Sequence, residues 1–119
     1  MFKNSATEAF RVQDYKKAVA DLTAAISLDP FNQIFYSYCS VAWLKMKMYN
    51  EALEDADECV RLQPVWATGY SRRGAAKWHL GHLHEAKIAY VKARDLEPTN
   101  VQTKADLEHV LLEIAGVYV

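Results

Sequence analysis

Cysteine, long apolar runs and an excess of one charge sign are all scarce in this sequence. Cys39 and Cys59 are the two cysteines among 119 residues, too few for the disulfide framework of a small secreted domain. No apolar run approaches the roughly 20 residues that cross a bilayer, and no basic segment followed by an apolar one opens the chain. Fourteen basic and fifteen acidic residues nearly cancel, which disfavours a nucleic-acid-binding protein. We therefore expect a soluble, cytoplasmic protein that binds neither membrane nor nucleic acid.

Residues suited to catalysis or metal binding are poorly placed. Cys39 and Cys59 fall at helix positions expected to face inward, so we interpret both as reduced core residues rather than nucleophiles. Three histidines cluster within residues 79–84, but Gly81 interrupts the helix there and no cysteine or carboxylate cluster stands at zinc spacing. Polar turn residues are the favoured interpretation and a metal site is the alternative. We expect no enzyme activity, no cofactor and no metal.

Proline is rare, and its three copies are evenly spaced. Pro30, Pro64 and Pro98 stand 34 residues apart, and each follows a leucine by two residues. Small residues and aromatics keep the same period, at Ala18, Ala52 and Ala86, at Ala6, Ser40 and Gly74, and at Phe2, Tyr36 and Tyr70. A fixed period kept at several offsets indicates a repeat array. Three repeats are predicted, over residues 1–30, 31–64 and 65–98.

Each repeat has the pattern of two helices joined by a short turn. Apolar residues in 15–28 recur at three- and four-residue steps, which predicts a helix with one buried stripe. A residue before proline is disfavoured in a helix, so each pair should end just before its proline. The predicted helices cover residues 2–12, 15–28, 31–47, 49–62, 65–80 and 83–96.

Residues 99–119 lack the repeat pattern but form one more amphipathic segment. Asn100 can cap its start, and apolar residues follow at three- and four-residue steps. Because a stack of repeats leaves its last apolar face uncovered, we expect a C-terminal capping helix. The alternative is that Ile114, Val117 and Val119 stay partly exposed and meet a second chain or a parent protein.

The 34-residue helix-turn-helix unit, with its small residues, aromatics and prolines, resembles the tetratricopeptide repeat (TPR). The resemblance covers residues 2–98 and implies an all-α fold, an α-solenoid of three helix pairs with a concave groove lined by the first helix of each pair. With the capping helix, we expect seven helices in a single domain over residues 1–119. A monomer is expected, with dimerisation through the C-terminal helix as the alternative.

Three stretches narrow the resemblance. Gly69–Arg73, Tyr36–Ser37 and Ser40–Trp43 are similar to the TPR domains of heat-shock co-chaperones of the Hop/Sti type. That likeness implies an adaptor that binds the acidic C-terminal tail of a heat shock protein 70 or 90 chaperone. In that subfamily five polar side chains hold the terminal carboxylates through charge-assisted hydrogen bonds.

These five carboxylate-binding positions, which we call the clamp, are only partly kept in this sequence. Lys3 and Arg72 match the subfamily, whereas Thr7, Tyr38 and Thr68 replace two asparagines and a lysine. Losing these groups should weaken a carboxylate site by several kcal/mol, at roughly 1.5 to 3 kcal/mol per hydrogen bond to a charged group. The alternative is a TPR scaffold whose altered groove binds a different peptide or partner protein, or part of a larger multidomain protein. The predicted peptide-binding residues are Lys3, Thr7, Phe10, Arg11, Tyr38, Lys45, Thr68, Arg72 and Trp78.

Charge is distributed unevenly along the chain. The first helices of the pairs carry seven basic residues and one acidic residue, a net charge of +6 in a chain of net charge −1. Lys47, Arg73 and Lys77 are counted in this total, and Lys45 or Arg73 is a candidate replacement for the lost clamp cation. Such a field over the groove would favour an acidic peptide. Trp43 and Trp66 are expected to pack between repeats.

Overall fold

The computed structural model describes the backbone of residues 2–117 and the side chains of residues 6–117. Seven helices and no strand occur in this part of the chain, which confirms the predicted all-α helical array. The helices are α1 (Phe2–Arg11), α2 (Tyr15–Leu28), α3 (Gln33–Lys45), α4 (Tyr49–Leu62), α5 (Ala67–His79), α6 (Leu83–Leu96) and α7 (Val101–Ile114). No helix within residues 2–117 is long and apolar enough to span a bilayer.

Several helices are shorter than the sequence predicts. α3 and α5 each begin two residues late, because Pro30 and Pro64 each form a turn with the residue that follows. The side chain of Asn32 accepts a hydrogen bond from the Ile34 amide and thereby starts α3. Asn100 likewise accepts from the Thr103 amide at 3.1 Å, which confirms the predicted cap of α7.

The first helix of each pair ends in a left-handed residue. Gln13, Lys47 and Gly81 have φ angles of 63°, 61° and 83° and lie 34 residues apart. Lys47 therefore belongs to a turn, whereas the sequence pattern had placed it in the helix. Gly116, just beyond α7, has a φ of 78° and repeats the arrangement. Only the two glycines adopt this conformation without a steric penalty.

The second helix of each pair ends differently, in an extended residue before the proline. The φ angles of these residues lie between −139° and −143°, as expected for a residue that precedes proline. The aromatic residue near the start of the next first helix secures the turn. Tyr70 donates its hydroxyl to the Pro64 carbonyl at 2.7 Å, and Tyr36 does the same to Pro30 at 3.1 Å. The residues before the prolines are Asp29, Gln63 and Glu97.

The predicted small residues lie where the helices of a pair approach most closely. Ser40 is fully buried and donates its hydroxyl to the Ala52 carbonyl at 2.9 Å. At Gly74 an added Cβ would stand 2.8 Å from the ring of Tyr90. Ala18, Ala52 and Ala86 are fully buried as well. These positions need small side chains because no space remains for larger ones.

The last helix covers the third repeat. Leu107 and Val110 of α7 form a buried cluster with Tyr90 of α6, and Ile114 packs against it. The seventh helix therefore caps the array, as predicted. Val117 is half exposed, while Val119 lies outside the described residues. Dimerisation through this helix stays a prediction.

Cys39 and Cys59 are buried and unpaired, which confirms the interpretation of both as reduced core residues. Burial raises the pKa of each thiol to about 12. A thiol with so high a pKa is almost entirely protonated near neutral pH, and the protonated form is a poor nucleophile and metal ligand.

Candidate functional site

The inner surface formed by α1, α3 and α5 contains a cavity of about 250 Å³. We call it the apolar groove cavity; its lining includes Ala6, Thr7, Phe10, Leu22, Tyr38, Val41 and Arg72. The rings of Phe10 and Tyr38 contact each other with their centroids 6.0 Å apart. Four of the predicted peptide-binding residues are thus brought together here.

Beside it lies a second cavity of about 280 Å³, between α5 and α7. We call it the polar groove cavity; it includes Thr68, Ser71, Arg72, Glu97, Asn100, Thr103 and Asp106. Thr68 and Arg72 were predicted, but the contribution of α7 was missed because that helix was assigned only a covering role. The sequence signal of a second, polar face on α7 was the four-residue spacing of Gln102 and Asp106. In the structure their side chains form a 2.9 Å hydrogen bond.

Arg72 lines both cavities and joins them into one site. Its Nε donates to the Ser37 hydroxyl at 3.3 Å, and Ser37 itself is buried. Among the described side chains no other hydrogen bond or ion pair engages the guanidinium. Burial lowers the pKa of Arg72 from its ordinary value, yet an arginine remains charged at neutral pH. A desolvated cation whose terminal nitrogens bond no acceptor among the described residues is suited to bind an anion.

Arg11 and Lys45 line neither of these cavities, and the position of the Lys3 side chain is not described. Arg11 is exposed and its Nε donates to Glu8 at 2.9 Å. Lys45, at the end of α3, is exposed and lines neither cavity. The backbone of Lys3 belongs to α1, but its side chain lies outside the described residues. The binding roles of all three stay predictions.

Trp78 connects α5 to the capping helix. Its indole nitrogen donates to the Glu113 carboxylate at 2.6 Å, and its ring packs against the buried cluster beneath α7. His109 lies against the same ring, with centroids 5.5 Å apart. Because Trp78 is already engaged with α7, only part of its surface is available to a ligand, and its predicted peptide contact is untested.

The other two tryptophans were expected between repeats. Trp43 packs against the cluster that contains Ala6 and Leu22 of the first repeat, which confirms its prediction. Its indole nitrogen donates to Asp55 at 2.8 Å. Trp66 precedes α5 and is half buried.

Two of the cations counted for the groove lie elsewhere. Arg73 and Lys77 project from a different face of α5, into a cavity of about 460 Å³ between α4, α5 and α6. The Nε of Arg73 donates to Asp57 at 2.8 Å. The predicted concentration of positive charge over the groove is therefore wrong for these two residues, and Arg73 does not replace the lost clamp cation.

The clustered histidines take up separate positions. His79 is the last residue of α5, and its ring stacks on Tyr49 with centroids 4.7 Å apart. His82 is exposed in the turn beside Glu85, at 3.2 Å. No group of three or more histidine, cysteine or carboxylate side chains is gathered for a metal ion in the part of the chain that the structure describes.

Comparison with known proteins gives a consistent result. Residues 4–32 and 67–100 match the tetratricopeptide repeat family. The chain is 39% identical over 110 residues to heat shock protein STI1 of Saccharomyces cerevisiae, covering 92% of this chain and 19% of that protein. It is 40% identical over 105 residues to the Hsp70-Hsp90 organizing protein of Triticum aestivum, covering 88% and 18%. The chain thus spans about a fifth of the length of these relatives.

Among solved structures, the first TPR of Spaghetti (RPAP3) bound to the HSP90 peptide SRMEEVD is similar, with a TM-score of 0.91 and 29% identity. The match covers 96% of this chain and 90% of that one. The backbone described here therefore follows that of a peptide-bound relative over nearly its whole length.

Proposed function

Since the chain belongs to the tetratricopeptide repeat family, we propose that its concave groove binds a peptide, the acidic C-terminal tail of a heat shock protein 70 or 90 chaperone. One observation carries this proposal: Arg72 is largely desolvated, is bonded only to Ser37 among the described side chains, and stands between the two groove cavities. A guanidinium so placed can bind a carboxylate through two parallel hydrogen bonds.

The relatives support the choice of ligand. STI1 and the wheat protein are a heat shock protein and an Hsp70-Hsp90 organizing protein by name, and the Spaghetti domain holds an HSP90 peptide with three carboxylate side chains. Because the match to the first two covers a fifth of their length, their activities are not assumed for this chain as a whole.

In this proposal the site binds the tail through both charged and apolar contacts. Arg72, with Lys3, would hold carboxylates of the tail, while Thr7 offers a hydroxyl. An aliphatic side chain of the tail would enter the apolar groove cavity against Phe10 and Tyr38. The hydroxyl of the half-exposed Tyr38 can donate to a carboxylate in place of the family's asparagine.

In this proposal the chain acts as a non-catalytic adaptor in the cytoplasm, with residues 1–119 forming one binding domain. Its repeats cover residues 1–30, 31–64 and 65–98, followed by the cap at 99–119. The adaptor would bring its chaperone ligand to other polypeptide segments or proteins without chemical change in that ligand.

Isothermal titration calorimetry with the peptide SRMEEVD tests this function. We expect micromolar binding that weakens with added salt and is lost when the peptide C-terminus is amidated. Arg72→Ala should lower the affinity by about 10- to 100-fold, the loss of a charge-assisted hydrogen bond or two. Arg73→Ala removes the same charge from the next residue, outside the groove, and should leave the affinity within about twofold.

Equal affinities for the free acid and the amide, or for the wild type and Arg72→Ala, would contradict the clamp.

One observation favours a second function in that case. Glu97 and Asp106 line the polar groove cavity with Arg72, and they would repel an acidic tail that extends there. A different peptide that places a basic residue beside Asp106 should then bind better to the wild type than to Asp106→Lys.

A further inference from the structure

The cavity between α4, α5 and α6 has a counterpart one repeat earlier. We call the first the basic furrow, with Arg73, Lys77, Ile88 and Lys92 in its lining. The counterpart, of about 190 Å³, is lined by Cys39, Trp43, Glu54 and Asp55 among others. The 34-residue register pairs the two sites position by position, as Arg73 with Cys39, Lys77 with Trp43, and Ile88 with Glu54. The same architecture thus places three cations, beside Asp57 and Glu85, in one cavity and no cation among the described lining residues of the other.

Three cations meet in the basic furrow. The guanidinium of Arg73 and the ammonium of Lys92 lie 5.7 and 5.9 Å from the centre of the Tyr70 ring, and Lys77 lines the same cavity. At the position equivalent to Lys92 the second repeat has Glu58. The third repeat therefore replaces uncharged or acidic residues with cations at three positions of one cavity.

Two of these cations, Arg73 and Lys77, lie deeper than the carboxylates that pair with them. The Arg73 side chain is 31% exposed and its partner Asp57 is 49% exposed. Lys77 is 20% exposed and its partner Glu85, at 3.4 Å, is 58% exposed. Glu85 is itself mostly exposed and its contact with Lys77 is long, so an incoming carboxylate can take its place and leave the cation paired.

An apolar residue borders the same cavity. Ile88 is 65% exposed on α6, where the second repeat has Glu54. A single exposed aliphatic residue is ordinary on a protein surface, but this one adjoins a cavity with three cations and the face of Tyr70. A ligand that combines carboxylates with one aliphatic side chain would complement both parts of the lining.

We propose that the basic furrow is a second protein-binding site, which takes an acidic segment of a partner protein with an aliphatic side chain placed on Ile88. The site is separate from the groove, since it shares none of the residues that line the two groove cavities. It requires no free C-terminus, because its cations can bind the side-chain carboxylates of an internal segment.

The probe is the peptide EELEELEE, acetylated and amidated so that no terminal carboxylate can bind Arg72. Titrated into nitrogen-15-labelled protein, it should shift the amide signals of Tyr70, Ile88 and their neighbours with a submillimolar dissociation constant. A peptide with alanine for leucine should bind at least threefold more weakly, and one with lysine for glutamate should not shift these signals.

Lys92→Glu and Ile88→Glu restore the acidic residues of the second repeat and should each weaken binding by about tenfold or more. Both side chains are exposed, so the folded state and its melting temperature should change little. Glu85→Gln removes the competing carboxylate and should strengthen binding about twofold. Arg61→Glu, an equal charge change on α4 outside the cavity, is the matched control and should bind as the wild type does.

The groove variant Arg72→Ala separates the two sites, because it should lose the SRMEEVD peptide and keep the blocked peptide. Absence of shifts in the furrow at millimolar peptide would overturn the second site. So would shifts that appear around Thr7 and Tyr38 and vanish in Arg72→Ala, since the peptide would then occupy the groove.

Discussion

The second and third helix pairs share one register but are held together by different chemistry. Between α3 and α4 two side-chain hydrogen bonds cross the interface: Ser40 donates to the Ala52 carbonyl and Trp43 donates to Asp55. Between α5 and α6 the ring of Tyr90 fills the space left by Gly74. The comparison teaches that the repeat specifies the distance between helices, while each pair fills that distance in its own way.

Side-chain volume is compensated across each pair. The small residues in the first helices are Ala6, Ser40 and Gly74. The residues 16 positions later, in the second helices, are Leu22, Ala56 and Tyr90. All of them are buried. The smallest residue, glycine, therefore occurs in the pair with the largest opposite residue, tyrosine, as expected for interiors of constant packing density.

The largest effect should come from Gly74→Ala. The new Cβ would lie 2.8 to 2.9 Å from three atoms of the Tyr90 ring, which is packed in the buried cluster with Leu107 and Val110 of α7. We expect a loss of about 1 to 3 kcal/mol in the free energy of unfolding, measured by urea denaturation.

A double variant tests whether the volumes compensate. Gly74→Ala with Tyr90→Leu gives the third pair the alanine and leucine of the first pair, Ala6 and Leu22. The double variant should be more stable than the sum of the single changes by about 1 kcal/mol or more. Additive free energies would show that the two positions are not coupled.

The next largest effect should come from the hydrogen bond between Trp78 and Glu113. Trp78→Phe removes the donor to Glu113 and should lower the free energy of unfolding by about 1 to 2 kcal/mol. Because this bond joins α5 to the capping helix, hydrogen exchange should accelerate first in α7. Uniform acceleration across all the helices would mean that α7 does not open separately.

A pH effect should distinguish the second pair. Burial raises the pKa of Asp55 to about 6, against an ordinary value of 3.8. The folded state therefore holds this proton more tightly than the unfolded chain does, and the free energy of unfolding should fall as pH rises from about 4 to about 6. The third pair has Ala89 at the equivalent position and should contribute no such change.

Asp55→Asn keeps an acceptor for Trp43 and removes the charge. The variant should be more stable than the wild type at pH 7 and equal to it near pH 4, as followed by urea denaturation at both values. A difference between the two proteins that is independent of pH would contradict the assignment to Asp55.

The smallest effect should come from Ser40→Ala. The hydroxyl donates to a carbonyl in α4, so its loss should cost about 0.5 to 1.5 kcal/mol without creating a large cavity. Thermal unfolding measures this shift. A loss as large as that of Gly74→Ala would show that the polar contact, rather than volume, determines the stability of the pair.

Most of the fold could be predicted because its signals repeat. Pro30, Pro64 and Pro98 end helix pairs wherever they occur, and three copies of each small residue confirm one another. Lys47 was misplaced, although it stands 34 residues before Gly81, because a lysine gives no local signal for a left-handed turn. Helix ends are therefore located by the repeat register rather than by residue type alone.

The site was only partly predictable, for a geometric reason. Thr7, Tyr38 and Arg72 converge because they occupy related faces of the first helices. Arg73 and Lys77 lie on those helices too, but successive helical residues point about 100° apart, so a charge count per helix does not reveal the face. The bond from Trp78 to Glu113 spans 35 residues, and no local pattern indicates it.

The left-handed turn after α7 makes the end of the described chain a ready point for engineering. The Val117 amide donates to the Leu112 carbonyl at 2.9 Å, just as His82 donates to Lys77 after α5. The backbone thus leaves α7 in the direction in which it leaves the first helix of a pair. Grafting a copy of residues 82–98 behind Gly116 would complete a fourth pair, with α7 as its first helix, and extend the outer surface by one helix.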